Sequence, residues 1–377
     1  MPNEPASSSG SAEMAHLDAL HALGWDSGWA AAFEPHAIEG TRAGRVVAVH
    51  RETSIVRDGD GDRPASVSGS FRFSALVHAD FPAVGDWVAL DRDDVVVAIL
   101  PRRSVFKRMS TDASRRGTGL DAEQIMASNV DVALLVAGLD NDFNLRRIER
   151  YLAVARSSAI NPIVVLNKAD LADDVDGRLV AVDAIAPGVT AIAVSARTGQ
   201  GLDELLTHLR PGATAAILGS SGVGKSTLVN ALLGEQRQAI AEVRESDSRG
   251  RHTTTHRELF ELPGGALLVD TPGIRALEVL GANDGVDEAF DDVIDIAATC
   301  RFSDCRHAGE PGCAVRAALA DGRLTEERLA SHQKLEREAA RLAREDDPRA
   351  RAEHRRTWKI IHKSVGEHME RKYGSDR

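Results

Sequence analysis

Gly219, Ser220, Ser221, Gly222, Val223, Gly224, Lys225 and Ser226 are consecutive in the chain. They fit the spacing G-x-x-x-x-G-K-[ST] without mismatch. An apolar run at 215–218 precedes them, and Thr227 opens a helix-forming stretch that reaches 233. That context separates the motif from an ordinary Gly/Ser-rich turn. The glycines let the backbone curl so that successive N–H groups face phosphate oxygens, and the helix N-terminus adds its positive dipole end. Lys225 would neutralise β- and γ-phosphate charge, and the Ser226 hydroxyl would ligate Mg²⁺. The chemistry expected here is the binding of a nucleoside triphosphate with Mg²⁺.

A second group selects the base. Asn167, Lys168, Ala169 and Asp170 follow an apolar run at 163–166. The Asp170 carboxylate can accept both the N1–H and the N2–H of guanine, a donor pair that adenine lacks. Sites built on such hydrogen bonds reject the analogue lacking them by ~10⁴-fold or more. Asn167 and Lys168 would brace and cover the base. Ser195 and Ala196 end the next apolar run, and the Ala196 N–H is expected to meet guanine O6. GTP and GDP are therefore the expected ligands.

A third group would sense the γ-phosphate. Asp270-Thr271-Pro272-Gly273 ends the run 267–269. Asp270 would hold Mg²⁺ through water, and the Gly273 N–H would meet the γ-phosphate. Upstream, residues 249–255 (Arg-Gly-Arg-His-Thr-Thr-Thr) are polar and flanked by charge. Such a composition has little reason to order itself. A threonine hydroxyl there, with Thr254 as the candidate, would complete the Mg²⁺ shell only with the γ-phosphate in place. Many GTPases carry a water-orienting Gln just after Asp-x-x-Gly. Here that position is Ile274, which cannot hydrogen-bond, so intrinsic hydrolysis is expected to be slow. His252 is the nearest replacement and the candidate catalytic residue. A loop residue touching RNA is its alternative role.

The order of these parts is unusual. The base-reading segments at 167–170 and 195–196 precede the phosphate loop, whereas ordinary GTPases run the other way. Circular permutation keeps the sheet and moves only the termini. One consequence is that the chain leaving Asp270–Gly273 runs straight into the C-terminal region.

The three cysteines, Cys300, Cys305 and Cys313, crowd into a short segment that also holds His307. An odd, clustered set argues against a disulfide framework. Three thiolates and one imidazole form a closed tetrahedral set suited to one structural Zn²⁺, with no position left for water. One disulfide plus a free thiol is the other reading. Arg301, Arg306 and Arg316 surround the cluster, either as phosphate contacts or as solvated charge.

These groups need elements to hold them. At 377 residues the chain is long enough for two or three domains of roughly 150 residues each. Its 43% hydrophobic content is enough for buried cores and excludes a largely disordered chain. Forty-six basic against 57 acidic residues give −11, which excludes a uniformly basic nucleic-acid binder but not a local basic patch. The start of the chain lacks a charged segment followed by an apolar run, so no secretory signal is expected. The longest apolar stretches, such as 132–139, fall far short of the ~20 residues needed to span a bilayer. A soluble cytoplasmic protein with no membrane partner is expected.

Residues 1–40 read as a leader with a short helix at 16–23, stopped by Gly24. Residues 41–110 carry short β-rich runs at 45–50, 54–57, 71–76, 86–90 and 95–100, with turns at 58–62 and 83–86. Five such strands suit a small OB-type barrel. A small β-sandwich is the alternative. Arg102, Arg103, Lys107 and Arg108 at its exit read as a solvated face or a nucleic-acid contact. Residues 110–119 read as a linker. Over 118–277, strands at 130–136, 163–166, 189–194, 215–218, 258–262 and 267–269 alternate with helices at 145–156, 202–209 and 225–233. That alternation predicts an α/β sheet covered on both faces. Residues 278–377 read as helical and charged around the cysteine cluster. Their basic end, with Arg351, Arg355, Arg356, Lys359, Lys363, Arg371 and Lys372 around Trp358, reads as an RNA contact or a charged terminal helix.

Taken together, the motif order, the run Gly250-Arg251-His252-Thr253-Thr254-Thr255 and the cysteine cluster resemble the circularly permuted, ribosome small subunit-dependent GTPases (the RsgA, YjeQ or YloQ family). The resemblance covers about 44–316. It implies a multidomain fold: an N-terminal OB-fold, a permuted P-loop GTPase domain and a C-terminal α-helical zinc domain. It further implies binding to the 30S subunit and its 16S rRNA during late maturation. Hydrolysis would be stimulated by that subunit and would drive release of a monomeric factor, with the histidine matching His252 as the catalytic group. The rival class is a non-catalytic RNA-binding assembly factor that uses GTP as a structural ligand. Ile274 favours it; Lys225, Ser226 and Asp270 count against it.

Overall fold

The apolar runs of the central region become strands of one sheet, parallel except for the run at 258–262. The structure is a computed structural model that describes residues 8–50, 53–75, 78–109, 123–140, 143–234, 257–270, 289–302 and 305–346. It divides into two compact units, residues 1–278 and 279–377.

In the first unit, β1 (Arg42–His50), β2 (Thr53–Asp58), β3 (Gly61–Val67), β4 (Trp87–Leu90) and β5 (Val95–Ile99) run in the order β1-β2-β3-β5-β4. β4 also pairs with β1, which closes a five-stranded barrel. β3 and β5 are parallel and the other barrel pairs antiparallel, the OB-type arrangement expected from the sequence. Val46, Val56, Ala65, Val88, Leu90 and Val96 fill its interior.

One strand differs from expectation. The alternation of Phe71 and Phe73 predicts a strand at 71–76. Instead Ser68 caps a short helix, α3 (Gly69–Ser74), by accepting from the Phe71 N–H at 3.0 Å. Phe73 is 91% exposed, so its alternation reports no buried face. The third strand is β3, whose sequence Gly-Asp-Arg-Pro-Ala-Ser-Val has no apolar rhythm. It pairs with β2 from Asp58↔Gly61 to Ser54↔Ala65, and only Ala65 is buried. Pairing with a neighbouring strand, not burial of alternate side chains, makes it a strand.

Before the barrel lie α1 (Ser8–Ala22) and α2 (Ser27–Phe33); Trp25, between them, and Trp29, in α2, pack against Trp87. Two of the four basic residues at the barrel exit are ion-paired, and Arg103 stays about half exposed to solvent. Arg102 holds both oxygens of Asp86, at 2.8 and 2.6 Å, and Arg103 holds both oxygens of Asp26 at 2.6 Å. The exit strand β6 (Val105–Met109) pairs with β7 (Glu123–Ser128). The expected linker at 110–119 lies outside the described residues.

The α/β part orders its strands β10-β9-β8-β11-β13-β12. These are β8 (Val132–Gly138), β9 (Asn161–Asn167), β10 (Ala191–Ala193), β11 (Thr214–Gly219), β12 (Arg257–Glu261) and β13 (Leu267–Asp270). All pairs are parallel except β12–β13. The helices are α4 (Leu145–Ser157), α5 (Val175–Ile185), α6 (Leu202–Thr207) and α7 (Lys225–Leu233). α5 carries no clear apolar stripe, and only Val182 is buried along it, so periodicity does not reveal it. Leu134, Val136, Val165, Ile217, Leu228 and Leu268 are among the core residues beneath the site. β12 also pairs with β1 of the barrel, at Ala48↔Glu258 and Val49↔Arg257. Barrel and α/β sheet therefore share one hydrogen-bonded ladder.

The second unit contains α8 (Asp291–Ala298), α9 (Ala314–Ala320) and α10 (Glu326–Asp346). Phe290, Val293, Val315, Ala318, Leu324 and Leu329 are buried there. The Arg328 guanidinium lies 4.1 Å from the Phe290 ring centroid. Among the described residues, no helix is long and apolar enough to cross a membrane.

Candidate functional site

Parallel strands deliver their C-terminal ends to one edge of a sheet, and ligands bind there. Four parallel strands deliver the segments singled out in the sequence. β9 ends at Asn167, β11 at Gly219, β13 at Asp270, and β10 leads through Val194 to Ser195.

Asn167 joins the base-reading and phosphate segments. Its Nδ2 donates to the Val223 carbonyl at 2.8 Å, and its Oδ1 accepts from the Ala196 N–H at 3.0 Å. It is 2% exposed, so neither bond is replaced by water without cost. The Ala196 N–H, expected to face guanine O6, is thus used to brace Asn167. Gly224 sits against the same amide. Its φ is +88, and a Cβ there would lie 2.5 Å from Asn167 Nδ2. Gly222 is also left-handed, with φ +84. Together these two residues give the phosphate loop its curl.

Lys168 takes a left-handed conformation, φ +69, and its ammonium bonds to Asp140 Oδ2. Ala169 begins the tight turn Ala169–Leu171 that presents Asp170. Asp170 Oδ1 accepts from Ser195 Oγ at 2.6 Å, and Oδ2 accepts from Arg197 Nη2 at 2.6 Å. The Ser195 hydroxyl, and after it the Arg197 charge, hold the Asp170 carboxyl below the usual carboxylate range. It is ionised and acceptor-only at neutral pH, as a guanine reader must be.

Lys225 opens α7 and folds its ammonium back over the loop, to the Gly219 carbonyl at 2.8 Å and the Ser220 carbonyl at 2.5 Å. Ser226 and Thr227 follow in the first turn of α7. Ser221 lies exposed on the loop. The Ser220 hydroxyl accepts from Arg147 Nη1 at 2.8 Å. β13 pairs with β11 in register from Thr214↔Leu267 to Ala216↔Val269, so the Asp270 backbone continues level with Ile217, two residues before the phosphate loop opens at Gly219. The Asp270 side chain, Gly273, Thr254 and His252 lie outside the described residues, and so does Ile274.

Three positions carry weight that sequence reasoning missed. Asp140 anchors Lys168, Arg147 anchors Ser220, and Arg197 contacts Asp170. Asp140 follows the end of β8, a parallel strand, and that position is a signal that could have found it. Arg147 offers none, because its role depends on where α4 is packed.

The second unit holds the metal candidates. Ligand atoms of Cys300, Cys305, His307 and Cys313 all lie within 4.8 Å of one another. Cys300 and Cys313 sulfurs are 4.0 Å apart, and His307 Nδ1 is 3.7 and 3.4 Å from them. A tetrahedron with bonds of about 2.3 Å to sulfur and 2.0 Å to nitrogen has edges of roughly 3.5–3.8 Å. The four side chains fit such an ion, and no disulfide joins the cysteines. Cys313 also caps α9 by accepting from the Arg316 N–H at 3.5 Å. The Cys305 thiol is pushed up to about 11: the His307 amide favours its thiolate, but burial and the neighbouring Cys313 and Cys300 outweigh it. A bound cation would let three thiolates share this space.

Residues 99–280 match the family model described as RsgA GTPase. A small ribosomal subunit biogenesis GTPase RsgA from Opitutus terrae is 48% identical over 359 residues, covering 91% of this chain and 96% of that protein. Its counterpart from Streptomyces coelicolor is 45% identical over 351 residues, covering 90% and 92%. The crystal structure of YjeQ from Thermotoga maritima aligns with a TM-score of 0.58 at 29% identity, over 79% of this chain and 98% of that one. YloQ, described as a circularly permuted GTPase, aligns with a TM-score of 0.56 at 22% identity, over 80% and 96%, a likeness of fold.

Proposed function

The chain belongs to the RsgA GTPase family, and from that premise we propose how its residues bind and hydrolyse GTP. It is a GTPase that acts in biogenesis of the small ribosomal subunit. The observation that carries the reading is the bridge of Asn167 between Ala196 and Val223, which ties base recognition to the phosphate loop. Asp170 reads the guanine N1–H and N2–H edge. Lys168, tethered to Asp140, covers the base. The amides of 219–226 cradle the phosphates, and Lys225 moves from the Gly219 and Ser220 carbonyls to the β- and γ-phosphate oxygens.

Mg²⁺ bound with GTP would supply Lewis-acid neutralisation of the charge that develops on the phosphate oxygens. Ser226, Thr254 and Asp270 would hold it, and the Gly273 N–H would meet the γ-phosphate. Cys300, Cys305, His307 and Cys313 would hold one Zn²⁺ that serves structure only, since four protein ligands would leave no open position. The partner is the 30S particle through its 16S rRNA, in the cytoplasm, with the factor acting as a monomer. Correctly shaped RNA stimulates hydrolysis, His252 positions the water, and GDP weakens the grip.

The experiment is phosphate release from GTP with and without purified 30S subunits, for wild type and His252→Ala. A rate raised by 30S, lost in the variant while nucleotide binding stays intact, supports this reading. A flat baseline in both arms would instead favour an assembly factor that uses GTP as a structural ligand.

A further inference from the structure

Asp170 is the group that the proposed function charges with choosing guanine, and one of its two oxygens is held by Arg197. Ser195 Oγ donates to Oδ1 and Arg197 Nη2 to Oδ2, each at 2.6 Å. The two contacts differ in kind. The Ser195 hydroxyl belongs to a buried residue at 0% exposure, and it also accepts from the Thr198 N–H at 3.2 Å. The Arg197 side chain is 73% exposed, against 13% for that of Asp170.

The donor chemistry of the two is the same as that of the base. Guanine presents N1–H and N2–H on one N–C–N unit, and a guanidinium presents its N–H groups on an identical unit. Arg197 therefore offers Asp170 a surrogate for the edge that the site is built to read. The loop beneath it is fixed. Ser195 N–H donates to the Gln200 carbonyl at 2.9 Å, and the Gly199 N–H donates to the Ser195 carbonyl at 2.9 Å. Only the Arg197 side chain has to swing, and an exposed side chain does so within picoseconds to nanoseconds.

We infer that Arg197 controls guanine entry, because its guanidinium and the base compete for the same oxygen of Asp170. This rests on Asp170 being the guanine reader. Base binding then replaces the Arg197 N–H at Oδ2 with one of the two base N–H donors, while Oδ1 keeps Ser195 and accepts the other. The exchange costs the bridge between Arg197 and Asp170, and an exposed bridge of this kind is weak and salt-sensitive.

The test is stopped-flow binding of a fluorescent GDP to the full chain, for wild type and Arg197→Ala, at low and high salt. The inference expects association faster by ~2- to 5-fold in the variant. It expects unchanged dissociation and a gain that shrinks as salt rises. Unchanged association would overturn it. Faster dissociation would also overturn it, since Arg197 would then be a ligand of the bound base. Asp170→Asn separates this inference from the reading beneath it. An amide should lose guanine and accept xanthine, whose C2 oxygen replaces the N2 donor. In that background Arg197→Ala should leave association of xanthosine diphosphate unchanged, and acceleration there would count against the competition. If Asp170→Asn keeps its preference for GDP, the guanine-reading role of Asp170 falls. If it switches as expected while Arg197→Ala has no effect in the wild-type background, only the competition falls.

Discussion

Arg45 and Thr214, 169 residues apart in the chain, are hydrogen-bonded through Nη2 and Oγ1 at 2.7 Å. Arg45 sits in barrel strand β1 and Thr214 begins β11, the strand that carries the phosphate loop. The same guanidinium donates to the carbonyls of Leu23, Gly85 and Asn129. At 2% exposure it is a buried cation that collects backbone oxygens from the leader, the barrel and the start of the α/β region. Burial draws it down to about 10, partly offset by Asp131 and Asp86, so it stays charged at neutral pH.

Replacing Arg45 with Met should destabilise the 1–278 unit by about 3 kcal/mol, because three buried carbonyls and one hydroxyl lose a donor at once. Thr214→Val should cost only about 1 kcal/mol, since Arg45 keeps its other acceptors. Urea unfolding of both variants checks this. Equal costs would mean that the pair acts alone and not as the centre of a cluster.

Gly224→Ala should weaken guanine nucleotide binding by ~10-fold or more. The left-handed backbone alone costs roughly 1–2 kcal/mol with a Cβ present, and the added carbon would press on Asn167 Nδ2 at 2.5 Å. Calorimetric titration with GDP reads the effect. Base and phosphate contacts should weaken together, so the loss should appear for guanosine as well as for GDP.

Asp26 gives a pH dependence whose sign is fixed. Its carboxyl is lowered to about 2, first by the Arg103 hydrogen bond and then, against burial, by the N–H groups of Trp29 and Gly28 and the Arg103 charge. A carboxyl lowered on folding stabilises above its unfolded value, 3.8, and loses that contribution as pH falls through about 2. Both partners are about half exposed, so the contribution is at most about 1 kcal/mol. Asp26→Asn should therefore melt below wild type at pH 6. The two melting temperatures should converge near pH 2, and a gap that persisted there would assign the effect to packing.

Removing metal should unfold the cluster in the 279–377 unit. One Zn²⁺ per chain is expected on release by a thiol-modifying reagent. Cys313→Ser should lower that stoichiometry and loosen α9, because Cys313 is both ligand and helix cap. Metal analysis and amide hydrogen exchange measure the two consequences. Full occupancy in the variant would exclude Cys313 as a ligand.

What could be read along the chain was local. A phosphate loop needs eight consecutive residues, a base reader needs four, and a metal cluster declares itself by crowding. The strands beneath the site were legible for a similar reason: β8, β9 and β11 are buried on both faces, so their apolar runs are unbroken. Where burial is one-sided or slight, the signal fails. β3 has a single buried residue and no alternation, while the exposed Phe73 imitates a rhythm that nothing buries.

The sequence by itself determined the inventory and its permuted order, because those are properties of adjacent residues. Only the tertiary structure decided which members act on one another: Asn167 on Val223, Arg197 on Asp170, Arg147 on Ser220, Arg45 on Thr214. Each of those bonds joins residues 27 to 169 positions apart. A polar side chain can meet many acceptors, and its choice among them is fixed by where packed strands and helices bring the two ends, not by anything written beside it in the chain.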